Sequence, residues 1–195
     1  MNKGKVIIIS GPSGSGKTTL SSKILEHSLF KKKVVKSISA TTRKKRKGEK
    51  HGRDYLFFNR SVFLRKQKLG HFLESQPVFD NFYGTPKKNV EALLKKGKNV
   101  LLCIDVKGAK VVHRQIPEAI MIFIKVPSLA ILKKRLSGRG TESQKSLDLR
   151  FKIAKQELKE AKHYKYIVIN DRLSTAHKEL EKIFCKELGI KELCT

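Results

Sequence analysis

The chain has 195 residues, 39% of them hydrophobic, enough for a real core in one folded unit. No apolar run approaches the roughly 20 residues of a membrane span. Lys and Arg number 44 against 17 Asp and Glu, a formal charge of +27 that attracts polyanions and steers anionic ligands. Lysine dominates the surplus, and its runs are dispersed (Lys31–Lys33, Arg43–Lys47, Lys95–Lys96), so nucleic-acid binding is expected only as a non-specific consequence of charge. Cys103, Cys185 and Cys194 show no C-x-x-C spacing, and the six histidines are scattered. Neither a disulfide framework nor a zinc site is expected, and a reducing cytoplasm suits the chain. Met1–Lys5 carries basic residues but no apolar signal core, so secretion is not expected.

Val6–Ser10 is β-branched and reads as a fully buried strand of a parallel sheet. The Gly-rich turn Gly11–Gly16 follows, then a helix over about Lys17–Leu29 with Leu20, Ile24 and Leu25 on one face. Residues 34–84 differ in character. Val35–Ser39 and Asp54–Phe58 are short alternating segments, a short helix covers about Ser61–Leu69, and the stretch reads as a small inserted lobe with mixed or antiparallel strands. Beyond it, buried strands at Val100–Asp105, Ile120–Val126 and Tyr166–Ile169 alternate with helices at Thr85–Lys95, Lys107–Arg114 and Ser128–Leu136. Leu147, Phe151, Ala154, Leu158 and Ala161 recur at helical steps, and a last helix over about Ser174–Leu188 stops at Gly189. Alternating strands and helices predict a three-layer α/β fold around a parallel sheet.

Gly11-Pro12-Ser13-Gly14-Ser15-Gly16-Lys17-Thr18 satisfies G-x-x-x-x-G-K-[ST], the phosphate loop, here after a buried strand and before a helix. Its glycines let backbone N–H groups turn around a phosphate chain, and the helix dipole adds to them. Lys17 can reach β- and γ-oxygens, and the Thr18 hydroxyl can ligate magnesium. Asp105, at the end of its strand, suits a water-mediated magnesium contact or a cap for the next helix. Arg43 and Arg46, three apart in a basic loop, form a candidate phosphate grip, with Tyr55 and Tyr83 offering hydroxyls to the same group.

Together these segments resemble the guanylate kinase family. The likeness is carried by Gly11–Thr19, Ser37–Arg43, Gly48-Glu49 and Gly52–Tyr55, then by Phe72–Glu74, Tyr83–Thr85, Ile104–Gly108, Arg139–Thr141 and Asn170-Asp171, in the family's order over about residues 5–185. The resemblance implies a P-loop NTPase fold and ATP- and Mg2+-dependent phosphorylation of GMP, and of dGMP, in purine nucleotide metabolism. It implies one domain, with residues 1–33 and 86–195 as core, 129–147 as a lid and 34–85 as the GMP-binding lobe. Pro12, Ser13, Gly14, Ser15 and Thr19 would join Gly11, Gly16, Lys17 and Thr18 around ATP, with Asn170 and Asp171 near its adenine. Arg43, Arg46, Tyr55 and Tyr83 would hold the GMP phosphate, and Asp105 would lie beside GMP and the metal. Glu74 would read guanine by accepting its N1–H and amino group, assisted by the Ser39 and Thr85 hydroxyls. Arg135, Arg139 and Arg150 would join Lys17 and Arg43 in catalysis, meeting the transferring phosphoryl group as the lid closes. One departure stands out: Cys103 occupies a position where the family usually has an acidic residue.

Two other classes compete. A guanylate-kinase-like module that binds phosphopeptides without catalysis would have a degraded phosphate loop, whereas Lys17, Thr18 and the lid arginines are intact here. A nucleic-acid-binding P-loop protein is suggested by the charge alone, without the aromatic–basic interleaving that base stacking uses.

Overall fold

The computed structural model describes residues 3–78, 80–137 and 144–191. Strand β1 (Val6–Ser10) leads into helix α1 (Lys17–Glu26), α2 (Ser28–Lys31) and the short strands β2 (Val34–Lys36), β3 (Ala40–Thr41) and β4 (Leu56–Phe57). Helix α3 (Arg60–Lys68), the hairpin β5 (Phe72–Val78) and β6 (Asn81–Pro86), α4 (Lys87–Lys95), β7 (Asn99–Cys103) and α5 (Val106–Gln115) follow. The chain ends with β8 (Ile120–Lys125), α6 (Leu129–Ser137), α7 (Gln144–Lys159), a 3-10 turn (Glu160–His163), β9 (Tyr166–Ile169) and α8 (Leu173–Leu188). A five-stranded sheet has the order β2-β7-β1-β8-β9, with β2–β7 and β8–β9 parallel. A four-stranded mixed sheet has the order β4-β3-β6-β5, with β3–β4 parallel and the other two pairs antiparallel. No helix among the described residues is long and apolar enough to cross a membrane.

The expected α/β fold is present. β1 and β8 carry the buried Ile7, Ile8, Ile9, Ile122, Phe123 and Ile124, the continuous apolar strands that a sheet covered on both faces requires. Four local expectations are corrected. The helix expected over Lys17–Leu29 breaks at His27, which turns extended (ψ 131°) and accepts the Leu29 N–H at 3.3 Å on its Nδ1, capping α2. Val34–Lys36 pairs with β7, Val34 opposite Asn99, and so belongs to the larger sheet rather than the mixed one. Thr85 lies in β6, not in a helix; Pro86 holds the chain extended, and helix geometry starts at Lys87. Asp105 lies beyond β7, immediately before α5.

Contacts divide the chain into two compact units. The first is Met1–Ile7, Lys33–Leu102 and Lys107–Ala119; the second is Ile8–Lys32, Cys103–Val106 and Ile120–Thr195. The phosphate loop, Asp105, Arg135, Arg150 and Asn170-Asp171 lie in the second. Ser39, Arg43, Arg46, Tyr55, Glu74, Tyr83 and Thr85 lie in the first.

Candidate active site

In the second unit, β1 delivers Gly11 to the start of the phosphate loop. Gly11 has φ +141°, and a Cβ there would fall 2.3 Å from the Ile124 carbonyl oxygen, so only glycine passes this close to β8. Ser15 closes the turn by donating its N–H to the Pro12 oxygen at 3.2 Å. Gly16 precedes α1 and has no side chain to cap it, which suits the first-turn N–H groups to an anion. Lys17 Nζ donates to the carbonyls of Gly11 at 2.6 Å and Pro12 at 2.9 Å, so the ammonium is tethered to the loop it serves. Ser13 and Gly14 are half-buried in the loop, while Thr18 and Thr19 are exposed on the first turn of α1.

Asn170 supports this loop from the end of β9. Its Nδ2 donates to the Ser15 carbonyl at 2.8 Å in a buried bond, and its backbone N–H donates to Lys125 O at 2.7 Å. A Cβ on Gly16 would stand 2.2 Å from that Nδ2, so the glycine makes room for the brace. Asp171 accepts from Arg135 Nη2 at 3.3 Å through its backbone oxygen, joining an expected ATP-site residue to an expected catalytic arginine. Arg150 is half-buried on α7, whose Leu147, Phe151 and Leu158 pack on Val126, Leu132, Leu136 and Ala154. Arg139 lies outside the described residues. Asp105 is half-buried, and its charge acts on Tyr164, whose hydroxyl burial pushes up to about 12, with Asp105 adding to the rise. The half-buried Cys103 is a free thiol.

In the first unit, Arg43 forms a bidentate pair with Glu49: Nη1 to Oε2 at 3.0 Å and Nη2 to Oε1 at 2.8 Å. The Arg46 backbone N–H also donates to Glu49 Oε2 at 2.8 Å. Arg43 and then the Arg46 amide hold the Glu49 carboxyl below its usual 4.5. The Arg43 guanidinium lies 5.4 Å from the Tyr55 ring centroid, and the Tyr55 and Tyr83 rings meet edge-on at 6.1 Å. The Arg46 side chain is exposed. Thus three expected phosphate ligands, Arg43, Tyr55 and Tyr83, converge. Deeper in the unit, Thr85 Oγ1 donates to Glu74 Oε1 at 2.6 Å across the β5–β6 pair. Glu74 is 6% exposed and Thr85 0%, so this carboxylate is buried although its strand β5 lies at the edge of the sheet. Ser39 is half-buried, just before β3, and accepts the Leu56 N–H on its backbone oxygen at 2.9 Å.

The family model for guanylate kinase matches residues 3–187. The chain belongs to the guanylate kinase family. A guanylate kinase of Clostridioides difficile is 41% identical over 96% of the chain and 90% of that protein. One of Hydrogenovibrio crunogenus is 45% identical over 93% of the chain and 87% of that protein. The crystal structure of guanylate kinase from Anaplasma phagocytophilum superposes with a TM-score of 0.78 at 32% identity, covering 99% of this chain and 90% of that one.

Within this family member, sequence reasoning missed the part played by Glu49. It is the one carboxylate in the basic stretch Arg43–Lys50, and that isolation was the available signal. Tyr164 was missed for want of any signal: its place beside Asp105 comes from the fold.

Proposed function

We propose that this chain transfers the γ-phosphoryl group of ATP to GMP and dGMP, giving ADP and the nucleoside diphosphate. The observation that carries this reading is the buried Glu74 carboxylate, fixed by Thr85 in the same unit as the Arg43–Glu49 clamp. Guanine offers two adjacent donors to such a carboxylate and adenine does not, so AMP would forfeit both of those bonds at a buried acceptor. The phosphate-loop amides and Lys17 take the ATP phosphates. Arg43, Arg46, Tyr55 and Tyr83 take the acceptor phosphate, while Ser39 and Thr85 give hydroxyl contacts to the base. Arg135, Arg139 and Arg150 face the charge that spreads over the transferring group. Phosphoryl transfer is mainly positioning and electrostatics, so no general base is assigned.

Thr18 and Asp105 offer oxygen donors, the chemistry a hard cation such as Mg2+ selects, and both lie in the unit with the phosphate loop. When bound with ATP, Mg2+ offsets phosphate charge. The expected setting is the cytoplasm and purine nucleotide turnover, and the +27 charge is expected to give only salt-sensitive, non-specific binding to nucleic acid.

The test is ADP release measured side by side with GMP, dGMP, AMP, UMP and dTMP, with and without a chelator. Turnover with GMP and dGMP, at least roughly 10³-fold over AMP and lost on metal removal, supports the assignment. Equal rates with AMP or UMP would overturn it. So would phosphopeptide binding without turnover.

Glu49 is a positioning residue in this scheme. Glu49→Gln keeps the size but places an amide N–H2 against the Arg43 fork. KM for GMP is expected to rise roughly tenfold, with kcat changed less than about threefold and KM for ATP unchanged. Because its folded pKa is lowered, the Glu49 carboxylate stays ionised at neutral pH and loses Arg43 only as pH falls below the ordinary carboxylate range. Steady-state kinetics decide the matter: a large kcat loss at unchanged KM would rule out positioning.

A further inference from the structure

A cavity of about 430 Å³ lies in the first unit, lined by residues assigned to neither nucleotide. One wall is a single face of α4: Lys87, Val90, Glu91, Leu94 and Lys95, the i, i+3, i+4, i+7, i+8 stripe. Val90 and Leu94 supply an apolar floor, extended by Leu73 of β5 and by Ile116 just beyond α5. Gln115 fixes that far wall by donating its Nε2 to the Leu73 carbonyl at 2.7 Å. Lys3 adds a third ammonium group to the lining.

Charge decides what this cavity suits. Its lining has three lysines against one carboxylate. Glu91 stands four residues from both Lys87 and Lys95, a spacing that commonly forms ion pairs on a helix. Yet among the described residues neither lysine pairs with it or with any other acid. Unpaired ammonium groups around an apolar floor match a ligand with one anionic head and a compact apolar body. The volume falls within the range of small-molecule pockets, about 300–1,000 Å³. The geometry points to a binding site for a small organic anion, separate from the nucleotide sites.

The probe is 1-anilinonaphthalene-8-sulfonate, titrated by fluorescence into the full chain with ADP and GMP saturating, so that both nucleotide sites are filled. One dye per chain is expected, with inorganic sulfate at equal concentration failing to displace it because the apolar body supplies much of the affinity. Lys87→Glu with Lys95→Glu should weaken binding at least about tenfold, and Glu91→Lys should tighten it several-fold. Lys178→Glu with Lys182→Glu, on exposed positions of α8, lowers the formal charge equally and should change binding less than about twofold. Each variant keeps its GMP-dependent ADP release, which reports on folding. Equal losses in the two lysine pairs would show bulk charge at work and overturn the site. Displacement of the dye by ADP or GMP, or indifference to Glu91→Lys, would overturn it too.

Discussion

Replacing Lys17 with alanine is expected to lower kcat by roughly 10³-fold or more while the protein still folds and still binds GMP. The reason lies in how the ammonium is held. Lys17 Nζ is anchored by two carbonyls of the phosphate loop, Gly11 at 2.6 Å and Pro12 at 2.9 Å, so the charge stands in place before ATP arrives. Such preorganisation costs no reorientation in the transition state, which is what makes a fixed charge effective. Alanine removes both bonds as well as the charge. The fold should lose about 1–3 kcal/mol, a fall in Tm of roughly 2–4 °C for each kcal/mol. Lys17→Arg should not restore turnover, because a planar fork replaces a compact ammonium at a site shaped by carbonyls. GMP binding measured by calorimetry should be retained, since Arg43 and Glu74 lie in the other compact unit. Near-normal turnover in Lys17→Ala would overturn the mechanism.

The parts of the site that could be read from the sequence are those built from consecutive residues. The phosphate loop is a strand, a glycine turn and a helix in unbroken order, so pattern and geometry coincide. Its brace could not be read that way. Asn170 reaches Ser15 across 155 residues, and only the β9 position brings them together. The same limit explains β2: Val34–Lys36 shows local alternation like its neighbours, and its partner Asn99–Leu101 is set by the fold. The β5–β6 hairpin escaped notice because Glu74, Ser75, Gln76 and Pro77 dilute the apolar alternation; Pro77 is tolerated there because β5 is an edge strand. The break at His27 lacked the usual Gly or Pro marker, since an imidazole supplies the cap. Glu74 itself was assigned through the family likeness alone. A lone glutamate in a polar strand carries no sign of burial until Thr85 is placed opposite it.

That placement makes Glu74→Ala the most informative test of specificity. The variant is expected to lose about 10³- to 10⁴-fold in kcat/KM for GMP, with little change for AMP and none in KM for ATP, so that GMP preference largely disappears. Loss of activity alone would be ambiguous, because the substitution also strands the Thr85 hydroxyl. Thr85 is fully buried and donates to Glu74 Oε1 at 2.6 Å; without that acceptor its hydroxyl costs about 1–3 kcal/mol of stability. Adding Thr85→Val removes the stranded donor. The double variant should therefore regain most of the lost Tm while its GMP selectivity stays absent, since the cost of an unpaired buried group is relieved when both partners become apolar. Glu74→Gln sharpens the point: it keeps an acceptor for Thr85 but turns an amide N–H2 toward guanine donors, so the fold should be spared and selectivity lost. Stability and recognition thus separate at one residue pair. If Glu74→Ala keeps the GMP preference of the unaltered chain, Glu74 does not read the base, and the guanine assignment falls while the phosphate loop's role stands.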